Sequence, residues 1–533
     1  MDHSSIFPFK ATKPVTHTQV CVIGAGISGL VTAKCFKEAN FDTVVLERTD
    51  EIGGLWTFRE KISYGVMRCT HINVSKHNYC FSDFPFPDDV PDYPHHSHMA
   101  KYIVDYAQHF GVTDLIRFQT EAKKLEKKDD EWHVTTVKLE DDGKGGYIST
   151  DEELIIAKYV AIATGHHVTP SWAKFPGQES FKGEIIHGVD YKDPVTNRLV
   201  GSRVLVVGIG NSAVDVATDC ASVGRCKAVH LSTRSGAWIV PNYIFGFPTD
   251  HYSCRAFLWL PWQFGNYVFE KVITLINGNP KRWNLNPKMK ALQTQPTVSP
   301  TLIHMIQRGY IEIHSNISKI SGKTVHFTDG STAEVDHVIY CTGYSISLPF
   351  LSDDVRQKVL EEGSNRIKLY KNVFSPELDH TLSFIGFLQP ASGGLLSMSE
   401  TQARWQVELC KGKVKLPSKS AMLSGIKADQ ESCDKRYYAS ARHTIQKDPI
   451  LYCDEVSSFF GAKPQIWRHP TLAWKLLFGT CGAAQYRLQG PHQWDKAYKT
   501  VKSLPVTDLI HYSAVLIIGV LFFFVMSIIF SLS

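Results

Sequence analysis

The sequence predicts an α/β protein of two parallel-sheet units, the second inserted within the first, followed by a C-terminal transmembrane helix. Three observations predict it. A strand, a glycine turn, a helix and a second strand follow one another twice, beginning at Val20 and again at Arg203. Two further apolar strands, Tyr159–Ala163 and His337–Cys341, each run into Thr-Gly, at Thr164-Gly165 and Thr342-Gly343. Finally, the twenty residues Ser513–Leu532 carry no charge.

At 533 residues the chain exceeds what one hydrophobic core supports, so two or three domains are expected. With 43% hydrophobic and 20% charged residues it reads as globular, not disordered or fibrous. The net charge of +5 is small and no long Lys/Arg run occurs, which argues against a nucleic-acid partner. The twelve cysteines form no Cys-x-x-Cys pair and show no Cys/His spacing suited to zinc; no metal site is expected, and the thiols read as reduced and mostly buried.

In the first unit the apolar strand Val20–Ile23 leads into Gly24-Ala25-Gly26-Ile27-Ser28-Gly29. A helix over Leu30–Ala39 and a strand over Thr43–Leu46 follow, ending at Glu47, twenty-three positions beyond Gly24. This is the full Gly-x-Gly-x-x-Gly pattern of a Rossmann-like dinucleotide-binding unit with its acid. Gly24 permits the tight turn, Gly26 lets backbone approach a pyrophosphate, and Gly29 lets helix and strand pack closely. The helix N-terminus offers free amides to phosphate, and Glu47 offers its carboxylate to ribose hydroxyls.

The second unit runs from the strand Arg203–Val207 through Gly208-Ile209-Gly210-Asn211-Ser212-Ala213 into a helix passing Ala217 and Cys220, then a strand over Ala228–Leu231. Ser232-Thr233-Arg234 stands where an acid would be expected. A guanidinium and two hydroxyls would bind a ribose 2′-phosphate that an acid would repel, so this unit is expected to prefer NADPH over NADH. The alternative is that Arg234 is a solvated loop charge.

The paired Thr-Gly exits suggest the boundaries. Residues 1–165 form the first part of one domain and 336–450 its second part, with the second nucleotide domain, 166–335, inserted between. Strands at 132–138 and 153–160 are joined by a hairpin around Asp141–Thr150. The aromatic- and proline-rich segment 238–300 reads as a subdomain over a substrate entrance. A membrane-proximal region, 451–510, precedes the helix at 513–532, which matches the length needed to cross ~30 Å of hydrocarbon. Lys496, Lys499 and Lys502 lie just before it and place the large domains in the cytosol. Met1–Val15 holds no apolar stretch suited to a signal peptide. The competing reading of 513–532 is a buried core helix.

Several motifs together carry a family resemblance: Glu47-Arg48-Thr49-Asp50 with Ile52-Gly53-Gly54-Leu55-Trp56; Phe181-x-Gly183 with His187 and Tyr191; the Gly208 unit; Thr342-Gly343-Tyr344; and Gln489-Gly490-Pro491. Over nearly its whole length the chain resembles the flavin-containing monooxygenases of animals, the microsomal dimethylaniline monooxygenase type. The signature ending in Tyr191 is the discriminating piece, since classical Baeyer–Villiger monooxygenases usually carry Trp there.

The resemblance implies FAD contacts from Gly24, Ala25, Gly26, Ile27, Ser28, Gly29, Glu47, Arg48, Leu55, Trp56, Asn73, Val74 and Gln402. It implies NADP contacts from Ile72, Asn73, Gly208, Gly210, Asn211, Ser212, Ala213, Val214, Asp215, Ser232, Thr233 and Arg234. Asn73 is the implied catalytic residue, beside flavin and nicotinamide; without the resemblance it reads as a turn or cap residue. The chain departs from the family in having Val74 where a Thr is common, and in lacking an acidic Asn-Asp-Glu/Asp segment within Gln295–His304.

The implied activity is NADPH- and O2-dependent oxygenation of soft nucleophiles, amines and thioethers, through a flavin C4a-hydroperoxide shielded by retained NADP⁺. The protein's share is orientation and exclusion of water. The implied location is the endoplasmic reticulum membrane, with a C-terminal single-pass anchor; a homo-oligomer is left open. Rival readings are Baeyer–Villiger oxidation of ketones, an uncoupled NADPH oxidase yielding hydrogen peroxide, a nucleotide-binding scaffold, and a disulfide reductase, which needs two redox cysteines. His95, His96 and His98 read as a solvated loop, His166-His167 as structural, and Asn316-Ile317-Ser318 as an unused glycosylation pattern.

Overall fold

The computed structural model describes residues 13–532 except 63, 143–145, 223–224, 362–363 and 440–443; within the last helix, the side chains of 521–525 and 527–532 also lie outside the described residues. Two sheets organise the fold. The first has seven strands, in the order Ile116–Arg117, Thr43–Leu46, Val15–Ile23, Tyr147–Ile162, Glu131–Asp141, Thr120–Lys128, with Leu382–Phe384 also paired to Tyr147–Ile162. Val15–Ile23 runs parallel to both neighbours, whereas Thr120–Lys128, Glu131–Asp141 and Tyr147–Ile162 form an antiparallel meander. Its central strands are apolar runs because both faces are covered: Val20 and Val22 share a core with the helices Ile27–Glu38, His96–His109 and Leu395–Cys410, while Cys21 and Ile23 share a second core with residues of the segment 346–387 on the other side. The hairpin strands are longer than sequence suggested, reaching Asp141 and starting again at Tyr147, with part of the turn outside the described residues.

The second sheet is wholly parallel, in the order Ile311–His314, Ala228–Ser232, Arg203–Val207, His337–Tyr340, Glu184–His187. This corrects the expected return to the first domain at 336. His337–Tyr340 pairs with Arg203–Val207 and Glu184–His187, so the chain leaves the second sheet only after Tyr340 and rejoins the first at Leu382–Phe384. The composition of an apolar strand does not say which sheet it enters, and the Thr-Gly exits are alike in both.

The signature ending in Tyr191 has a structural reason. A Cβ at Gly183 would lie 2.1 Å from the Asp336 carbonyl oxygen, so only glycine lets the edge strand begin there. Tyr191 is buried, with its hydroxyl donating to Asp219 Oδ2 at 2.8 Å.

Within 238–300 the helix Trp262–Asn277 and several short strands form a cap. It is tied to the C-terminal region by a buried bidentate pair, Arg255 to Asp454, at 2.6 and 2.8 Å. A second buried network joins Arg487, Glu400, Asp83 and Lys34, at 2.6 Å (Arg487–Glu400), 2.9 Å (Arg487–Asp83) and 2.5 Å (Lys34–Asp83). Burial opposes ionisation of Glu400, but Arg487 and Lys34 hold its carboxyl down at about 2.

Asp508–Leu532 is one helix. Among the described residues no single helix is long and apolar enough to cross a membrane; Ala497–Ser503 and Asp508–Val520 pass that test only together, bent by 90°. Most of the expected segment 513–532 lies beyond Val520, where few side chains are described. His95 does not sit in a solvated loop: its Nδ1 accepts from the Ser97 amide and caps the helix His96–His109.

Candidate active site

Both glycine turns lie where a strand gives way to a helix, and both abut the exit of a neighbouring strand. Gly24 has φ +107°, and a Cβ there would lie 2.7 Å from the Ala163 carbonyl oxygen; Gly208 has φ +133°, with Cys341 O at 2.5 Å. No other residue fits either position without moving backbone. The helices that follow, Ile27–Glu38 and Asn211–Cys220, have Gly26 and Gly210 as N-caps, with no side-chain cap and no acid in the first turn. Their first intrahelical bonds come from Leu30 and Val214, so the amides of Ile27–Gly29 and of Asn211–Ala213 are left to an external acceptor. Two such helix ends are ready-made sites for two pyrophosphates.

Both ends open onto one cavity of ≈ 2410 Å³, more than twice the ~1,000 Å³ of a large single-ligand pocket, as two dinucleotides require. Of the residues expected to touch FAD, the cavity is lined by Gly24, Gly26, Ile27, Ser28, Glu47, Arg48, Leu55, Trp56, Asn73 and Val74. Of those expected to touch NADP, it is lined by Ile72, Asn73, Gly208, Gly210, Asn211, Ser212, Ala213, Asp215, Ser232, Thr233 and Arg234.

Four expected contacts do not line it. Ala25 and Val214 are fully buried core residues. Gly29 is there for packing, since a Cβ on it would lie 1.8 Å from Gly24 O. Gln402 spends both ends of its amide internally: Oε1 accepts from the Gly386 amide at 2.8 Å and Nε2 donates to the Tyr452 hydroxyl at 2.7 Å. It supports the Gly386 turn, which does line the cavity.

The buried Glu47 carboxylate accepts from the Ala25 amide at 2.8 Å and from the Thr49 amide and hydroxyl at 2.9 Å, which fixes it at the end of its strand. The 2′-phosphate reading is narrowed. The Ser232 hydroxyl is buried and donates to Ser315 O at 2.7 Å, and the Thr233 hydroxyl accepts from the Gly236 amide, whereas Arg234 is exposed at the cavity edge. Asp215 also lines this side; burial and the neighbouring Asp219 push its carboxyl up to about 7.

Asn73 is half-buried in the cavity wall and makes no protein hydrogen bond among the described residues. The loop that carries it is held from the cap. Buried Asp250 accepts from the Ser75 amide at 3.0 Å and from the Ser75 hydroxyl and the Asn78 amide group, each at 2.6 Å. His251 Nε2 lies 3.0 Å from the same Ser75 hydroxyl. Sequence reasoning missed Asp250, because nothing local marks an acid 175 residues away as the partner of Ser75. It also missed the strand at Thr297–Val298, where the Val298 amide donates to Asn211 Oδ1 at 2.8 Å and braces the second glycine turn.

The cysteines that line the cavity, Cys69, Cys254 and Cys341, all have thiols raised by burial, Cys341 to about 12. A dithiol reductase needs a readily formed thiolate, and these are the opposite.

A family model described as flavin-binding monooxygenase-like matches residues 17–507. Human flavin-containing monooxygenase 5 is 38% identical over 510 residues, covering 91% of this chain and 92% of that protein. Guinea pig (Cavia porcellus) dimethylaniline monooxygenase (N-oxide-forming) 2 is 34% identical over 505 residues, covering 91% of each. Among solved structures, S-allyl-L-cysteine S-oxygenase from Allium sativum superposes with a TM-score of 0.61 at 22% identity, over 83% of this chain and 88% of that one. The chain is an NADPH-dependent flavoprotein monooxygenase with FAD and NADPH as cofactors and O2 and a small molecule as substrates, and it belongs to the flavin-containing monooxygenase family.

Proposed function

We propose that this chain oxygenates soft nucleophiles, amines and thioethers, with Asn73 as the residue that orients the reacting groups. The observation that carries the proposal is the convergence of both uncapped helix N-termini and the unpartnered Asn73 amide on one cavity. When bound there, FAD and NADPH supply the electrons and the activation of oxygen that no side chain can.

The protein's own residues do the rest. The first-turn amides of Ile27 and Ser28 would hold the FAD pyrophosphate and Glu47 would face the ribose, while Leu55 and Trp56 wall the cavity. The amides of Asn211–Ala213 hold the second pyrophosphate, and Arg234 faces the 2′-phosphate. Asn73 presents one acceptor and two donor hydrogens to the reacting centre. Val74, lacking a hydroxyl, adds only packing. Apolar cap residues, among them Ile244, Phe257, Leu260, Phe269 and Val272, roof the cavity and exclude water.

The activated oxygen is electrophilic, so neutral amines and sulfur compounds are the fitting substrates; neither Baeyer–Villiger oxidation nor uncoupled NADPH oxidation is favoured. The test is Asn73→Ala: loss of S-oxide from methyl p-tolyl sulfide by ~10²-fold or more, with NADPH consumption continuing as hydrogen peroxide, is expected. Full product formation by the variant would remove Asn73 from the mechanism.

We further propose membrane attachment through the C-terminal helix, with the catalytic domains in the cytosol at the endoplasmic reticulum. Support comes from exposed apolar residues on two elements: Leu516, Ile517 and Val520 in the C-terminal helix, and Phe264, Tyr267 and Leu275 in the cap helix. Truncation after Leu504 is expected to shift the protein from the membrane pellet toward the soluble fraction on cell fractionation; an unchanged distribution contradicts the anchor.

A further inference from the structure

The second sheet carries a cluster that the chemistry above does not use. His230 lies on Ala228–Ser232, and Glu312 and His314 on the adjacent parallel edge strand Ile311–His314, in the register His230 to Glu312 and Ser232 to His314. Residues two apart on a strand share a face, so Glu312 and His314 project together beside His230. None of the three lines the nucleotide cavity. We propose that His230, Glu312 and His314 bind a divalent transition-metal ion of the zinc class.

The donor atoms converge. His230 Nδ1 lies 3.0 Å from His314 Nε2 and 3.3 Å from Glu312 Oε2, and the last two are 3.6 Å apart. Ligands held ~2.0–2.1 Å from one zinc ion are separated by roughly 3.0 Å in octahedral and 3.4 Å in tetrahedral geometry, so the triangle fits one ion at its centre. Two imidazoles and one carboxylate suit zinc, cobalt or nickel and not calcium or magnesium, which take oxygen sets. Three protein ligands leave a position for water, and the Glu312 side chain, 66% exposed, gives access from solvent.

The surroundings fix the tautomer a ligand needs. Ser331 Oγ donates to Asp329 Oδ1 at 2.6 Å, so in its contact with His314 Nδ1 at 3.2 Å it accepts. The His314 proton is therefore on Nδ1, and the Nε2 lone pair points at His230 and Glu312. The His314 ring is held flat against Phe327, with centroids 4.1 Å apart and planes 11° from parallel. Such outer hydrogen bonds are what orient metal-binding histidines. The competing reading is a metal-free network in which His230 Nδ1 carries a proton shared between His314 Nε2 and the Glu312 carboxylate; a metal ion requires that same Nδ1 to be unprotonated, and the zinc titration distinguishes the two.

The ion would link Ala228–Ser232 to the edge strand where the Thr233 amide donates to His314 O at 3.0 Å and the Ser232 hydroxyl to Ser315 O, at the root of the loop bearing Arg234. The site is invisible to spacing rules because the sheet, not the sequence, brings His230 to a Glu-x-His pair.

The experiment titrates ZnCl2 by calorimetry, and Co2+ by visible absorption, into the untagged full-length FAD-loaded protein in detergent after chelator treatment. One ion per chain is expected, with cobalt d–d bands typical of nitrogen and oxygen ligands. Glu312→Gln, an exposed change that leaves the core intact, and His230→Gln are each expected to weaken zinc at least ~10-fold with FAD content unchanged. Absence of zinc binding to the wild type, or affinity in both variants equal to wild type, would overturn the proposal.

Discussion

Replacing Asp250 with alanine cuts the cap loose from the loop that carries Asn73. The carboxylate accepts three hydrogen bonds from that loop, from the Ser75 amide, the Ser75 hydroxyl and the Asn78 side chain. A hydrogen bond to a charged group contributes about 1.5–3 kcal/mol, and water entering the vacated space recovers part of it, so a net cost of about 4 kcal/mol is expected. That corresponds to a fall in Tm of roughly 5–10 °C, read by thermal denaturation of the FAD-loaded protein. Asn73 is two residues from Ser75, and a shift of about 1 Å at a reacting centre costs ~10²-fold in rate. The expected result is therefore a lower Tm together with a kcat for sulfide oxygenation reduced about 10²-fold. Asp250→Asn, which keeps the volume and one acceptor, should fall between wild type and alanine in both measurements. Wild-type Tm and kcat in Asp250→Ala would refute the idea that the cap positions the Asn73 loop.

Arg234→Gln is expected to raise the KM for NADPH about tenfold, equivalent to ~1.4 kcal/mol, and to leave the KM for NADH unchanged; equal effects on both would remove Arg234 from the 2′-phosphate. Asp215 is raised to about 7 by burial and by Asp219, so it is protonated in the folded protein from its ordinary value of 3.8 up to that point. Its stabilising contribution is complete below 3.8 and is lost as pH rises through about 7, where its charge also begins to repel nucleotide phosphate. The KM for NADPH should rise between pH 6 and pH 8, and Asp215→Asn should flatten that rise. Glu400 has the opposite sign: its carboxyl is depressed from 4.5 to about 2, so its contribution is present above 4.5 and lost as pH falls toward 2. Glu400→Gln takes one of its two carboxylate partners from buried Arg487, leaving Asp83 to face both Arg487 and Lys34, and should cost about 3 kcal/mol in urea denaturation at pH 7, shrinking as pH falls.

How much was legible in the sequence depended on how local the physics was. The two glycine turns could be read because each requirement lies within a few residues: a positive φ at Gly24 and Gly208, an uncapped helix start, and an apolar strand before it. The same motif overreached where it counted every position as a contact. Val214 and Ala25 alternate away from the ligand into the core, and Gln402 acts one step back, through Gly386. The strand His337–Tyr340 was legible as a strand but not as a member of the second sheet, since pairing is decided by register with partners far along the chain. Asp250 and the His230, Glu312, His314 triangle were hidden for the same reason: tertiary folding alone brings their partners together.

The central claim is that one cavity couples NADPH oxidation to transfer of oxygen onto a soft nucleophile. It is tested most directly by running the purified enzyme with NADPH, methyl p-tolyl sulfide and ¹⁸O₂, and measuring labelled sulfoxide against NADPH consumed. The account predicts one ¹⁸O atom in the sulfoxide for each NADPH. NADPH consumption matched by hydrogen peroxide, with no labelled sulfoxide, would contradict it.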